Sequence, residues 1–426
     1  MADKVVENIV AAALAHPGQD ALDVMRLSLV DWISVGLAGR DEPVSTLTRD
    51  MVLAEGGHAQ ATLFGGHKTP ARAAALCNGA CSHALDYDDT HFAHIGHPSV
   101  AVIPAALAVA ELCNASPDRM VRAALAGCEA SVRFGLLFGR SHYQTGFHQT
   151  ATAGAFGATV AAVMLLTDES EVMAHALGLV STRASGLKSQ FGTMGKPFNA
   201  GLAAANGVEA ALLAQRGFIS NPDAITGALG FTDTHHCDGS GAQAGGFLMP
   251  QVQHKFHACC HGLHAALEAL EVLKPVQPDA VRAITVHTNP RWMSVCNKTT
   301  VTTGLEAKFS YRAVLALSLA GHSTAALDSY IDALCSDPAL VALRGRIDVI
   351  ADDTIAETAT RLVMDTDQGQ RIATFDLNTP LTLQERAYRI TSKSAALLGK
   401  QKAKTVWQVV HSPEATLEDL TEVLTP

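Results

Sequence analysis

The sequence predicts a mainly α protein, a large all-helical domain carrying a smaller inserted α+β domain. Composition supports this first: 48% of the 426 residues are hydrophobic, only 5% are aromatic and 17% are charged. Ala, Leu and Val dominate the apolar share, and such side chains favour closely packed helices. Too little charge is present for disorder or a coiled coil. Helical periodicity then runs through the first 268 residues, the texture turns β-branched near residue 282, and helix returns from 381. The helical domain is expected over 1–268 and 391–426, with the α+β domain over 269–390. A cleft between two such domains is a usual place for a small-molecule site.

Residues 20–38 have helical spacing and stop at Gly39. Residues 70–86 and 98–113 are Ala-rich; Pro98 suits a first turn, and Pro104 is expected to kink the second helix or move its start. Helices follow at 149–166, 170–186 and 198–216, then a strand at 283–288 ending on Asn289-Pro290. Residues 305–321 and 323–335 read as helices, 346–352 as a strand, and 360–378 as a hairpin turning near Asp367-Gln368-Gly369. The segment 144–167 is apolar enough to raise a membrane span. Its polar Gln149, Thr150, Thr152 and Thr159, with Gly154 and Gly157 and no basic flanks, point instead to a buried helix of a soluble protein.

Lys plus Arg number 31 against 41 Asp plus Glu, a formal charge of −10. No basic run is available for nucleic acid or an anionic membrane, so any anionic ligand needs a local cationic pocket. Nine cysteines without a CxxC pair, and a polar start MADKVVENIV, predict a reducing cytoplasm. No thiolate set suits an iron–sulfur cluster.

Four stretches carry candidate chemistry. Residues 84–99 crowd Asp86, Asp88, Asp89, Thr90, His91, His94 and His97 between two apolar helices. Helix capping accounts for Asp88, Asp89 or Thr90 singly, yet not for three histidines and three carboxylates together. A zinc or non-haem metal set is a second reading, weakened by the lack of a further ligand group at diagnostic spacing. Acid–base use of one Asp and one His is preferred. Residues 141–158 bring His142, Tyr143 and His148 together, with a helix opening just after His148. The positive end of that helix disfavours protonation and keeps the imidazole available as a base.

In 191–207, Gly192 and Gly195 precede Lys196 and Pro197, where a helix opens. Free N–H groups and an ammonium make a carboxylate receptor; GxxxxGK[ST] is absent. Residues 254–270 hold Lys255, His257, Cys259, Cys260, His261 and His264. On a helix His257, His261 and His264 share a face, which suits zinc, and a Cys nucleophile is also conceivable. The preferred reading is a polar pocket lined by Lys255, His261 and His264.

Taken together, LDYDDTH, GHPS, PAALAVAE, GFHQTATAGAFGA, GTMGKP and a Lys followed by CC and His, in that order over nearly the whole chain, resemble the MmgE/PrpD family. That family includes 2-methylcitrate dehydratase, cis-aconitate decarboxylase and iminodisuccinate epimerase. The resemblance implies a helical domain with an α+β lid, a homodimer, and a site lined by Asp86, Thr90, His97, His148, Lys196, Lys255 and His264. Two departures weigh against decarboxylation. The decarboxylase pattern has a catalytic His where Cys260 falls beside His261, and a Tyr where Ala313 falls, two residues after Tyr311. The epimerase is similar to this chain in lacking that Tyr.

These family reactions form or quench a carbanion next to a carboxylate. The expectation is cofactor-independent chemistry on a small di- or tricarboxylate, without a metal. Lys196 and Lys255 would stabilise the enediolate-like species, His148 or Asp86 would take the proton, and His97 would act as partner acid. Thr90, His142, Tyr143, Lys255, His261 and His264 would bind substrate. Dehydration of a citrate-like or 2-methylcitrate-like acid comes first, epimerisation of an iminodisuccinate-like acid second, and cis-aconitate-type decarboxylation third. A metal-dependent hydrolase is a remote alternative. A scaffold role would leave many buried-looking titratable groups without use.

Overall fold

The computed structural model describes residues 4–240 and 245–425, so the expected domain limits at 1 and 426 fall outside the described residues. The chain forms two compact units, Met1–His254 with Leu398–Pro426, and Lys255–Leu397. It is mainly α, with one four-stranded sheet near its C-terminal part.

The helices of the first unit that position the site are α1 (Gln19–Gly39), α2 (Ala71–Ser82), α3 (Pro98–Cys113), α4 (Pro117–Thr145), α5 (Gln149–Leu166) and α6 (Gly195–Gln215). Helix α5 packs against α3, α4 and α6, and α2 packs against α3 and α6. Small residues set this closeness. A Cβ on Gly157 of α5 would stand 2.4 Å from the Gly127 carbonyl oxygen of α4, and one on Gly201 of α6 would stand 2.3 Å from the Leu76 carbonyl oxygen of α2. Neither backbone can yield, so the Ala- and Gly-rich composition is what permits these helix pairs. Among the described residues α5 alone is long and apolar enough to cross a membrane, and 89% of its apolar window is buried inside the protein. Its apolar character all round reflects packing on every side.

The long helix α4 turns at Gly139, where φ is 76°, and ends at Gly146 with φ 130°. Helix α3 starts at Pro98 and continues through Pro104, so the start is not displaced by the internal proline. The helix expected over 170–186 stops at Val180. Hydroxyls compete for the last carbonyls there: Ser181 Oγ donates to Gly178 O at 2.8 Å and Thr182 Oγ1 to Leu179 O at 3.0 Å. The Lys400–His411 helix packs on α1.

In the second unit, strands β1 (Val281–Thr288), β2 (Ile347–Ala351), β3 (Ala359–Thr366) and β4 (Gly369–Asp376) lie in the order β2-β1-β3-β4. The β1 and β2 pair is parallel and the others antiparallel, with Val286 opposite Val349 and Leu362. Ile284, Val286 and Thr288 bury one face of β1, and helix α7 (His264–Leu273) lies against β3 and β4. The helix expected at 305–321 is broken, because Ser310 caps a new start: its Oγ accepts from the Ala313 N–H at 3.3 Å, opening α8 (Tyr311–Leu319). The one expected over 323–335 is reduced to two short turns, Leu327–Ser329 and Asp332–Cys335.

Candidate active site

Three helix starts bring the chemistry of the first unit together. His97 precedes α3, His148 precedes α5, and Lys196 lies in the first turn of α6. Each N-terminus carries the positive end of a helix dipole and so favours an anion, although the first donors of α6 are taken within the chain: Gly195 N–H by Thr193 Oγ1 at 3.0 Å and Lys196 N–H by Thr193 O at 3.2 Å. The Lys196 ammonium lies 2.7 Å from Asp86 Oδ2, and Asp86 Oδ1 lies 3.6 Å from His97 Nε2. Asp86 has φ 50°, a left-handed conformation that costs a Cβ-bearing residue about 1–2 kcal/mol and that the α2–α3 connection imposes here.

Beneath this pair sits a carboxylate that the sequence reading took for a possible cap. Asp88, 1% exposed, accepts from His83 Nδ1 at 2.8 Å, and its other oxygen stands 2.8 Å from His97 Nδ1. Burial alone would raise the Asp88 carboxyl; the charges and hydrogen bonds of His83 and His97 outweigh it and hold the group well below the usual carboxylate range. Asp88 thus fixes both imidazoles through Nδ1 and leaves each Nε2 for other work. The Nε2 of His83 is buried and makes no hydrogen bond. The His83 ring meets His97 edge-on with centroids 4.6 Å apart and stacks on His148 at 6.1 Å.

His148 is nearly fully buried, and its protonation is disfavoured first by burial, then by the charges of Lys196, His83 and His97. Its group therefore lies well below the usual histidine value, neutral at physiological pH. The helix start contributes in the direction expected, but desolvation dominates. The Asn199 amide is 3.3 Å from His148 Nδ1, and the His148 N–H donates to Gly186 O at 2.8 Å, so ring and backbone are both held. Phe191 closes one side, edge-on to His148 at 5.0 Å and 5.2 Å from the Lys196 ammonium.

Of the first-unit residues singled out, Asp86, His97, His148 and Lys196 come together. Thr90 is half-buried and pairs its backbone with Gln253 at 2.8 and 2.7 Å. His142 makes its contacts elsewhere. Its Nδ1 bonds the His235 carbonyl at 2.7 Å, its Nε2 meets Thr152 Oγ1 at 2.9 Å, and its ring stacks on Phe147 at 4.4 Å. Those contacts describe a satisfied packing histidine, in place of the substrate contact expected. Tyr143 lies under the Lys188 ammonium, 3.8 Å from its ring centre. Two of the three loop histidines are also internal ties: His91 Nε2 to Leu248 O at 2.9 Å, and His94 Nε2 to Ser131 Oγ at 3.1 Å. Asp89 is the capping carboxylate. It accepts from the Ser99 N–H at 3.3 Å, and burial pushes its group up to about 7.

Beyond the placing of His83 three residues before Asp86, His83, Asn199 and Phe191 carry no signal of a site in the local pattern, and Asp88 reads there only as a cap. The ligand atoms of His83, Asp86, Asp88 and His97 lie within 4.8 Å of one another, so this set could also hold a metal ion.

In the second unit, Lys255, His261 and His264 are buried. The His264 ring lies 4.6 Å from His261 and 5.0 Å from His257, and burial followed by the charges of His261, His257 and Lys255 holds it well below the usual histidine value. His257 is occupied structurally, between Thr324 Oγ1 at 2.7 Å and Glu268 at 3.1 Å. Tyr311 is a core residue: its hydroxyl donates to Gly262 O at 2.8 Å and meets Thr288 Oγ1 at 2.9 Å.

The profile of the MmgE/PrpD N-terminal domain matches residues 4–241, and that of the MmgE/PrpD C-terminal domain matches residues 257–391. Cis-aconitate decarboxylase-like protein oryM of Aspergillus oryzae is 27% identical over 290 residues, 63% of this chain and 60% of that protein. Cis-aconitate decarboxylase of Aspergillus terreus is 28% identical over 280 residues, 61% of this chain and 57% of that protein. The Homo sapiens cis-aconitate decarboxylase is 28% identical over 211 residues, 48% of this chain and 44% of that protein. The chain spans 60% or less of the length of each of these curated relatives.

Proposed function

Because the chain belongs to the MmgE/PrpD family, we propose that it is a lyase-type enzyme that forms a carbanion next to a carboxylate of a small di- or tricarboxylate. The observation that carries this reading is the meeting of three helix starts with the Lys196–Asp86 pair and the neutral His148. Lys196, at the positive end of α6, receives the substrate carboxylate and stabilises the enediolate-like charge that develops on it. His148 is the base: it is uncharged and its ring is held, whereas Asp86 is already paired with an ammonium. His97, oriented by Asp88, is the acid. Lys255, His261 and His264 are proposed as substrate contacts carried by the second unit, and a homodimer and a cytoplasmic location belong to the proposal as well. Neither nucleic acid nor membrane is a partner.

Dehydration of a citrate-like acid is the first assignment and epimerisation the second. Decarboxylation draws support from the relatives' names, but Cys260 stands where its pattern has a histidine, and the Tyr311 hydroxyl is engaged by Gly262 and Thr288. The test is an NMR screen of citrate, 2-methylcitrate, cis-aconitate, malate-like acids and iminodisuccinate in D2O. A new alkene with loss of water identifies dehydration. Exchange without a new alkene identifies epimerisation, and loss of carbon dioxide identifies decarboxylation. No change in any acid contradicts the proposal. The compact His83, Asp86, Asp88 and His97 group favours a metal as second reading, and activity that vanishes on exhaustive chelation would establish it.

The neutral state of His148 has a pH consequence. A base whose group lies below its ordinary 6.5 stays unprotonated through the whole neutral range. The acid limb of kcat/KM is therefore expected below pH 6.5, and stopped assays from pH 4.5 to 8 check it. A limb at or above 6.5 removes His148 from the role of base.

A further inference from the structure

In the second unit, the thiol of Cys296 donates to the sulfur of Cys260 at an Sγ–Sγ distance of 3.2 Å. We propose that Cys260 and Cys296 form a reversible redox pair, closed to a disulfide by hydrogen peroxide or a small-molecule disulfide and reopened by a dithiol. The lyase reading neither requires nor supplies this site.

Both cysteines are anchored to one turn. The Cys260 N–H donates to Lys308 O at 3.0 Å, and the Cys296 carbonyl accepts from the Tyr311 N–H at 3.2 Å. With their backbones held to the same four-residue stretch, the sulfurs need approach only about 1.2 Å more to reach a bonding distance of about 2.05 Å.

The two thiols also differ in the way that such a pair needs. Cys260 is half-buried, while Cys296 is fully buried. Cys296 is the donor of the S–H bond, and that bond, followed by burial, pushes its own group well above the usual thiol value. The S–H of Cys296 points at the Cys260 sulfur, so the two sulfurs already face each other. Cys259 itself is fully buried and pushed up by burial, so it stays a thiol. Cys260, the more accessible of the pair, is therefore the attacking sulfur and the enclosed Cys296 the resolving one.

With peroxide, the Cys260 thiolate attacks one oxygen: an S–O bond forms, the O–O bond breaks, and the departing hydroxide takes a proton to become water. The Cys296 sulfur then attacks the sulfenic sulfur. The S–S bond forms, the S–O bond breaks, and the Cys296 proton leaves with the hydroxyl as a second water. Two electrons pass from the two thiols to one peroxide. With a small disulfide, Cys260 forms a mixed disulfide and releases one small thiol, and Cys296 expels the second.

The experiment treats the full chain with hydrogen peroxide, or separately with oxidised glutathione, blocks remaining thiols by alkylation, and maps peptides without reduction. Fragmentation distinguishes Cys259 from Cys260. The expected result is a peptide linked through Cys260 and Cys296 that disappears with dithiothreitol. In Cys296→Ser the link is absent and Cys260 carries the sulfenic acid or the glutathione adduct instead; in Cys260→Ser neither product forms at Cys296. Circular dichroism verifies that both variants fold. A Cys259–Cys260 link, or Cys260 and Cys296 both alkylated singly after oxidant has consumed the exposed Cys113, overturns the proposal. The readout is the bond itself, so a failed lyase reading leaves the result interpretable.

Discussion

Replacing Lys196 with alanine is expected to lower kcat/KM on the carboxylate substrate by about 10²–10³, equal to about 3–4 kcal/mol of lost transition-state stabilisation. The ammonium at the start of α6 lies 2.7 Å from Asp86 and, in the proposed mechanism, supplies charge where the enediolate develops. Its side chain is 16% exposed and that of Asp86 35%, so the pair is partly solvated and contributes little to stability. The variant should therefore melt close to the wild type. Lys196→Arg keeps the charge but replaces a compact ammonium with a planar fork, and is expected to recover only part of the activity. Steady-state kinetics with a thermal melt of each variant separates these outcomes. An unchanged kcat/KM in Lys196→Ala removes the lysine from the site.

Asp88→Asn is expected to damage both folding and turnover. The carboxylate is buried between two imidazoles, and an amide in its place sets an NH2 group against one of two N–H donors. Breaking one side of a buried charged pair costs about 3–5 kcal/mol. Losing the group that fixes an acid–base imidazole in its tautomer costs up to about 10⁴ in kcat. The pH dependence has a definite sign. His83 and His97 depress the folded-state value of Asp88 against burial, so its stabilisation is present above the unfolded carboxyl value of about 3.9 and is lost as pH falls through the lower folded value. The gap in stability between wild type and Asp88→Asn should shrink as pH falls below about pH 4. Urea unfolding at several pH values measures it. A gap that grows below pH 4 would contradict the assignment.

The contrast between Asp88 and Asp89 shows how far sequence alone reaches. Neighbouring carboxylates before a helix look alike in a string, and capping is a fair reading of either. The backbone directs Asp89 to the Ser99 N–H and Asp88 to two histidines, one of them on the far side of Asp86. Local rules put His148 ahead of its helix and Lys196 at a helix start, because caps and glycine breaks act over a few residues, although the helix begins at Gly195 and so takes Lys196 into its first turn. His142 was misread for the opposite reason. It is six residues from His148, but α4 ends at Gly146 and the chain reverses there, so closeness in sequence became separation in contacts. His83 and Asn199 depend on which helix packs beside which, and no local pattern carries that. The β-branched strands around 281–288 and 359–376 were legible because alternation and a turn at Asp367-Gln368 act locally. The broken helices at 304–335 were not, since Ser310 caps a restart inside an otherwise continuous apolar pattern.

The central claim is that an ammonium, three helix starts and a neutral imidazole make a weakly acidic carbon exchange its proton with solvent. Its most direct measurement is the deuterium content at the carbon beside the carboxylate after turnover in D2O, wild type against Lys196→Ala. The account predicts one solvent-derived deuteron at that carbon in the hydroxy acid formed when the unsaturated acid is hydrated in D2O, or in the acid that is epimerised there, and its loss in the variant. Hydration or epimerisation that leaves equal deuterium at that carbon with and without Lys196, or none in the wild type, would contradict it.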